Sequence, residues 1–203
     1  MDIEQLEEIF KQEILTCYKN NDWRELLNLN PQSNNKIAYK FLWVWPSVDN
    51  LEFIARKLKQ FSKKGIISIG CGCGLFEWIL QQYLGSEFPV HGYEVNETWW
   101  KSRYSNPLFI THHYPSFPID SKELKQDHIL LFCYFNDGDA FKHYIDSFTG
   151  NVIIIIGPGD GRGTHTNPEP FRPRFGRIQY DLHSYQEVKN TKDYIAVYIK
   201  VEY

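Results

Sequence analysis

The stretch GIISIGCGCGLFEWILQQYLGSEFPVHGYEVN, residues 65 to 96, gathers the residues best suited to chemistry. Ile66, Ile67 and Ile69 form a short apolar run that reaches three alternate glycines, Gly70, Gly72 and Gly74. A helical pattern follows, then a second apolar run that ends on the acid Glu94. Glycines let the backbone turn tightly and approach a ligand, and the first turn of a helix offers unpaired N–H groups. A carboxylate at the tip of the next strand accepts the two hydroxyls of a ribose. Strand, glycine turn, helix, strand and acid in this order describe a nucleoside crevice. A dinucleotide turn would read G-x-G-x-x-G, whereas here Cys73 stands where the more widely spaced glycine would be.

The turn SIGCGCG with Glu94 resembles motif I and the ribose-binding acid of the class I S-adenosylmethionine-dependent methyltransferases. The resemblance spans residues 40 to 203, and its specific part is the turn and Glu94. It implies an α/β fold, a Rossmann-like seven-stranded methyltransferase sheet with an N-terminal helical extension. It also implies S-adenosylmethionine as cofactor, held by Gly70, Cys71, Gly72, Gly74 and Glu94, and methyl transfer to an acceptor that the sequence does not identify. In that family an apolar residue shortly after the ribose acid packs on the adenine. One of Trp99 and Trp100 is expected there, the other anchoring a short helix. The family usually carries an acid two residues before the first glycine, at the methionine end of the cofactor, where this chain has Ser68.

The fourth strand ends DHILLFCYFND, where N-methyltransferases of planar nitrogens carry [DNS]-P-P-[YFW]. Cys133, Tyr134, Phe135 and Asn136 occupy the place without a proline, and Tyr134 and Asn136 are the candidates for meeting the acceptor. Asn136 and Asp137 suit a helix cap equally well. Methyl transfer from a sulfonium releases a neutral thioether, so it needs alignment more than acid–base machinery. A non-catalytic methyltransferase-like module, binding a partner or sensing the cofactor, is the alternative. Ser68, the unusual fourth strand and the missing late helix favour the module; the glycines and Glu94 favour the enzyme.

The elements that must position these residues are readable around them. Residues 2 to 20 carry Ile3, Leu6, Ile9, Phe10, Ile14 and Leu15 at helical spacing, and 22 to 29 form a shorter helix. The polar run 30 to 36 reads as a linker, so the expected division is 1–36, a helical extension able to dock a protein partner, and 37–203, the methyltransferase-like domain. An extended aromatic segment, Tyr39 to Trp45, is expected to cover the pocket. Ser47 or Asp49 caps a helix with the apolar face Leu51, Ile54, Ala55 and Leu58. Strands are expected at 66–69, 89–95, 108–112, 128–134, 151–157, about 176–182, and 193–202. The continuously apolar NVIIIIG suits a central parallel strand, and the alternating YIAVYIKVEY one that enters antiparallel near an edge. Pro158, Pro168, Pro170 and Pro173 replace the late helix with a loop.

Composition narrows the rest. A chain of 203 residues suits one domain with a two-sided core. A net charge of -3 gives no general attraction to nucleic acid or anionic membrane. No apolar run approaches the roughly 20 residues that span a bilayer. The acidic, helical N-terminus and four cysteines without a disulfide framework suit a cytoplasmic protein. Cys71 and Cys73 sit too tightly in the glycine turn for a tetrahedral zinc, so no metal is expected. Glu77, in the first turn of the helix, is read as a partner of the helix dipole. Arg162, Arg172, Arg174 and Arg177 read as a solvated loop or, alternatively, as an RNA contact beside the pocket.

Overall fold

The alternation of side chains along the central strands sorts the apolar residues into two cores, one on each face of a sheet. In the computed structural model, which describes residues 2–116 and 119–201, Ile129 and Leu131 face one core with Val152, Ile154 and Ile156. Leu130 and Phe132 face the other with Ile153 and Ile155. Helices α1 (Ile3–Lys19), α2 (Trp23–Asn28), α3 (Val48–Gln60) and α4 (Leu75–Leu84) cover the first face. Helix α6 (Gly138–Ser147) covers the second through Phe141, Tyr144 and Ile145. Residues of α1 and α2, Phe10, Ile14, Trp23 and Leu26 among them, are buried in the same core as α3 and α4.

The described residues contain seven strands: β1 (Ile66–Ile69), β2 (Val90–Tyr93), β3 (His112–His113), β4 (Ile129–Cys133), β5 (Val152–Pro158), β6 (Tyr180–Val188) and β7 (Asp193–Lys200). Their spatial order is β3-β2-β1-β4-β5-β7-β6. The first five run parallel, and β7 lies antiparallel between β5 and β6. The fold is therefore the expected seven-stranded α/β sheet. Helix α3 begins at Ser47, whose hydroxyl accepts from the Asn50 N–H in a capping box. Leu51, Ile54 and Leu58 are fully buried, each stabilising the docked helix by roughly 1.5–3 kcal/mol.

Several local expectations need correction. The third strand is not 108–112 but only His112–His113, because Phe109 and Ile110 are used elsewhere: the Phe109 N–H donates to the Cys73 carbonyl, and Ile110 packs against Gly74 and Gly92. The sixth strand lies later than the expected 176–182, at Tyr180–Val188, its pairing with β7 running to Val188. Residue 202 of the expected last strand lies outside the described residues. Tyr39 to Trp45 is not extended throughout; Ala38–Lys40 form a 3-10 turn. On α1 only Phe10, Ile14 and Cys17 are buried, and Ile3, Leu6 and Ile9 are exposed. From Gly159 to Gln179 no helix forms, as the prolines require.

Candidate functional site

Strand order reverses between β1 and β4, and the carboxyl ends of both strands open into one crevice, the place where open α/β sheets bind ligands. The chain leaves β1 through Gly70, Gly72 and Gly74, all at positive φ (69°, 60° and 78°). A Cβ on Gly70 would lie 2.7 Å from the Phe135 ring, so this glycine is required by packing as well as by conformation. Gly72 differs. Its nearest neighbour to an added Cβ is the Trp100 ring at 3.9 Å, so the space in front of it is open. Gly74 starts α4 with no side-chain cap, leaving the first N–H groups of the helix without that partner.

Glu94 follows β2 and reaches back to this turn. Its Oε1 accepts the Gly72 N–H at 2.7 Å and its Oε2 the Val95 N–H at 3.2 Å. Burial pushes its pKa up, while these two amides and the Trp100 indole N–H oppose the shift. The sequence-derived residues Gly70, Cys71, Gly72, Gly74, Glu94 and Trp100 thus come together. Trp99 does not join them; it is about half exposed, and its backbone N–H donates to Oδ1 of Asn96, the cap of the short helix α5 (Glu97–Trp100).

A cleft of about 200 Å³ lies between the turn, the segment Phe41–Trp43 and the end of β4. Of the segment Tyr39 to Trp45 expected to cover the pocket, Phe41, Leu42 and Trp43 line it, whereas Val44 and Trp45 are buried in the core beneath α1 to α4. Glu77 also lines this cleft, and sequence reasoning had given it only a dipole role. It is 1% exposed. Its Oε1 accepts the Ser68 hydroxyl at 2.6 Å, and its Oε2 has no hydrogen-bond partner among the described residues. Burial raises its pKa to about 7, against the lowering influence of the Ser68 hydroxyl and its own amide; Glu94 adds a further upward push. The available signal was Ser68 itself, a lone polar residue in a strand buried on every side.

Three thiols face the same space. Burial raises the pKa of Cys71 and Cys133 far above the ordinary thiol value and that of Cys73 to about 12, with Glu77 adding to the shift at each. All three stay protonated, and no group of three or more potential ligands capable of holding a metal exists among the described residues.

The far wall is built from distant parts of the chain. The Tyr134 hydroxyl donates to Asp193 at 2.6 Å, and the Arg162 Nε donates to the same carboxylate at 3.1 Å. Arg162 also donates to the Tyr39 hydroxyl, which donates to the Ser33 carbonyl. Trp43 stacks nearly parallel to both Tyr39 and Tyr134, with ring centroids 6.3 and 5.6 Å away. Asn136 does not line this cleft but a neighbouring surface cavity, with Asp137, Asn167 and Arg174; Asp137 caps α6. Of the four loop arginines, Arg172 pairs with Asp160 and Glu169 and Arg162 with Asp193, while Arg174 and Arg177 are exposed. No helix among the described residues is long and apolar enough to cross a membrane.

No protein-family model matches the chain, and no curated protein sequence does. Solved structures do match. The methyltransferase domain of bacterial CtHen1 is 13% identical, with 75% of this chain and 100% of that chain covered and a TM-score of 0.50. The 16S rRNA methylase ArmA is 11% identical over 94% of this chain and 98% of its own, at a TM-score of 0.47. Magnesium protoporphyrin IX methyltransferase from Synechocystis PCC 6803, solved with bound SAM, is 12% identical over 76% of this chain and 79% of its own, at 0.44. The first of these likenesses joins the strand order already described: the chain has the Rossmann-like fold of the class I methyltransferases.

Proposed function

We propose that this protein is an S-adenosylmethionine-dependent methyltransferase whose cofactor lies in the cleft at the glycine turn. The observation that carries this reading is the Glu94 carboxylate held against the Gly72 N–H at the switch point of the sheet. The residues present fit the group. The open space before Gly72 is a cradle that a side chain would fill, and it opens onto the cleft lined by Gly70, Cys71 and Gly72. Glu94 holds the ribose and Trp100 lies against the nucleoside side of the turn. Cys71, flanked by two of the glycines, contributes its backbone there.

When bound, S-adenosylmethionine supplies an electrophilic methyl group on a sulfonium. The chain's own task is alignment and exclusion of water. Tyr134 and Trp43 face the cleft opposite the turn and present flat surfaces to an acceptor. The three thiols, kept neutral by burial, do not compete for the methyl group, since the thiolate is the nucleophilic form.

Calorimetric titration with S-adenosylmethionine and S-adenosylhomocysteine tests the reading. Glu94→Ala removes charge-assisted bonds to the ribose worth roughly 2 to 4 kcal/mol together, so affinity should fall well over tenfold. Unchanged affinity in that variant removes Glu94 from the site and the reading with it.

A further inference from the structure

Glu77 is a carboxylate with half of its hydrogen-bonding capacity unused inside the protein. Ser68 holds Oε1 at 2.6 Å and fixes the side chain, while the buried Oε2 has no partner among the described residues. A buried carboxylate ordinarily finds a cation or several N–H groups, because leaving it ionised and unpaired is costly. The residues lining the cleft include no lysine, arginine or histidine. The other titratable groups around it are the thiols of Cys71 and Cys73 on the turn, Cys133 and the Tyr134 hydroxyl at the end of β4, with Glu94 beyond β2; every one is neutral or negative. The complementary cation must therefore arrive with the ligand.

We propose that Glu77, presented by α4 and aimed by Ser68, is the anionic seat for the ammonium of the amino-acid end of the nucleoside ligand. The inference rests on the cofactor reading above and names the group that grips the end remote from Glu94. The chain thereby carries the carboxylate on the helix, with only a hydroxyl on the strand.

A consequence follows for pH. Glu77 titrates near 7 in the ligand-free protein, so near neutrality a large share of it is protonated and offers the ammonium no charge. Ligand binding then expels that proton, and affinity for any ligand bearing the ammonium rises with pH through this range. Glu94 is raised as well, by burial, but it faces the ribose, which a ligand without the amino-acid end also contains.

The test compares S-adenosylhomocysteine with 5′-methylthioadenosine, which keeps the nucleoside and sulfur but lacks the amino-acid end. Both are titrated calorimetrically into the wild-type protein and Glu77→Gln at pH 8. We expect Glu77→Gln to bind S-adenosylhomocysteine at least tenfold more weakly and methylthioadenosine within about twofold of wild type. On the wild-type protein at pH 6.5, binding enthalpies in buffers of different ionisation enthalpy should show on the order of one proton released with S-adenosylhomocysteine and clearly less with methylthioadenosine. That measurement needs no variant. Wild-type binding of both ligands together with unchanged affinity in Glu77→Gln, equal loss of both ligands, or equal proton release would overturn this inference alone. Failure of the wild-type protein to bind either compound would overturn the cofactor reading and this inference together.

Discussion

Replacing Glu77 by Gln keeps the shape of the side chain and removes its titration, which gives a test in the ligand-free protein. The carboxyl titrates near 7 in the folded chain and at an ordinary 4.5 when exposed. Between those values the folded protein retains a proton that the unfolded chain has released, so stability falls as pH rises. At about 1.4 kcal/mol per pH unit the full effect is about 3 kcal/mol, of which about 2.5 kcal/mol develops between pH 5 and pH 8. At 1% exposure the side chain has little solvent to screen it. Altered hydrogen bonding of Gln to Ser68 shifts stability by an amount that does not vary over this range.

Urea unfolding of both proteins at pH 5, 6, 7 and 8, at constant ionic strength, reads the difference directly. His91, His112 and His128, lowered by burial, contribute in the opposite sense: their stabilisation is present above about 6.5 and lost as pH falls through their depressed values. They are common to both proteins and cancel in the comparison. The gap should open in favour of Gln by about 2.5 kcal/mol from pH 5 to pH 8. Stability curves that stay parallel refute the assignment of a buried, unpaired carboxylate.

Three further outcomes are expected. Asp193→Ala leaves Arg162 and the Tyr134 hydroxyl without their shared partner and should cost about 3 kcal/mol in denaturant unfolding; an unchanged midpoint contradicts a stabilising role for the node. Gly72→Ala must place a side chain at φ 60° in otherwise open space, so it should lose about 1 kcal/mol of stability yet at least tenfold in S-adenosylhomocysteine affinity, and a variant that binds normally removes the turn from the ligand's path. Iodoacetamide at pH 8 should label Cys71, Cys73 and Cys133 at least tenfold more slowly in the native protein than in urea, read by mass spectrometry; equal rates would mean the thiols are not held neutral by burial.

The part of the cleft that is legible in the sequence is the part whose signals are local. From Ile66 to Glu94 every cue lies within one strand-turn-helix-strand unit, and the structure brings Gly70, Gly72 and Glu94 into contact range as the spacing requires. Glu77 escaped because a first-turn acid is adequately explained by the helix dipole; its burial depends on Ser68, nine residues earlier and on a different element. Strand β3 was read too long because Phe109 and Ile110 are apolar for a reason other than pairing: they fill the space beneath the turn. The exposed edge strand β6 was misplaced because its polar residues carry little of the alternation that marks a half-buried strand. Nothing in the spacing of Ser33, Tyr39, Tyr134, Arg162 and Asp193 announced that they share one network, since such contacts are settled only by tertiary folding.

The Asp193 carboxylate ties together four regions of the chain beside the Trp43 and Tyr134 side of the cleft: the segment before α3, the end of β4, the proline-rich loop and the start of β7. The opposite side of the cleft comes from a single uninterrupted stretch. The two sides therefore respond differently to change. An insertion in the loop or in the segment around Tyr39 reshapes that side while leaving the glycine turn, Glu77 and Glu94 in register. Conversely, one substitution at Asp193 loosens all four pieces at once. One side of the cleft is thus fixed within a local unit and the other is assembled from distant segments, with a single carboxylate as the pin that keeps the assembled side together.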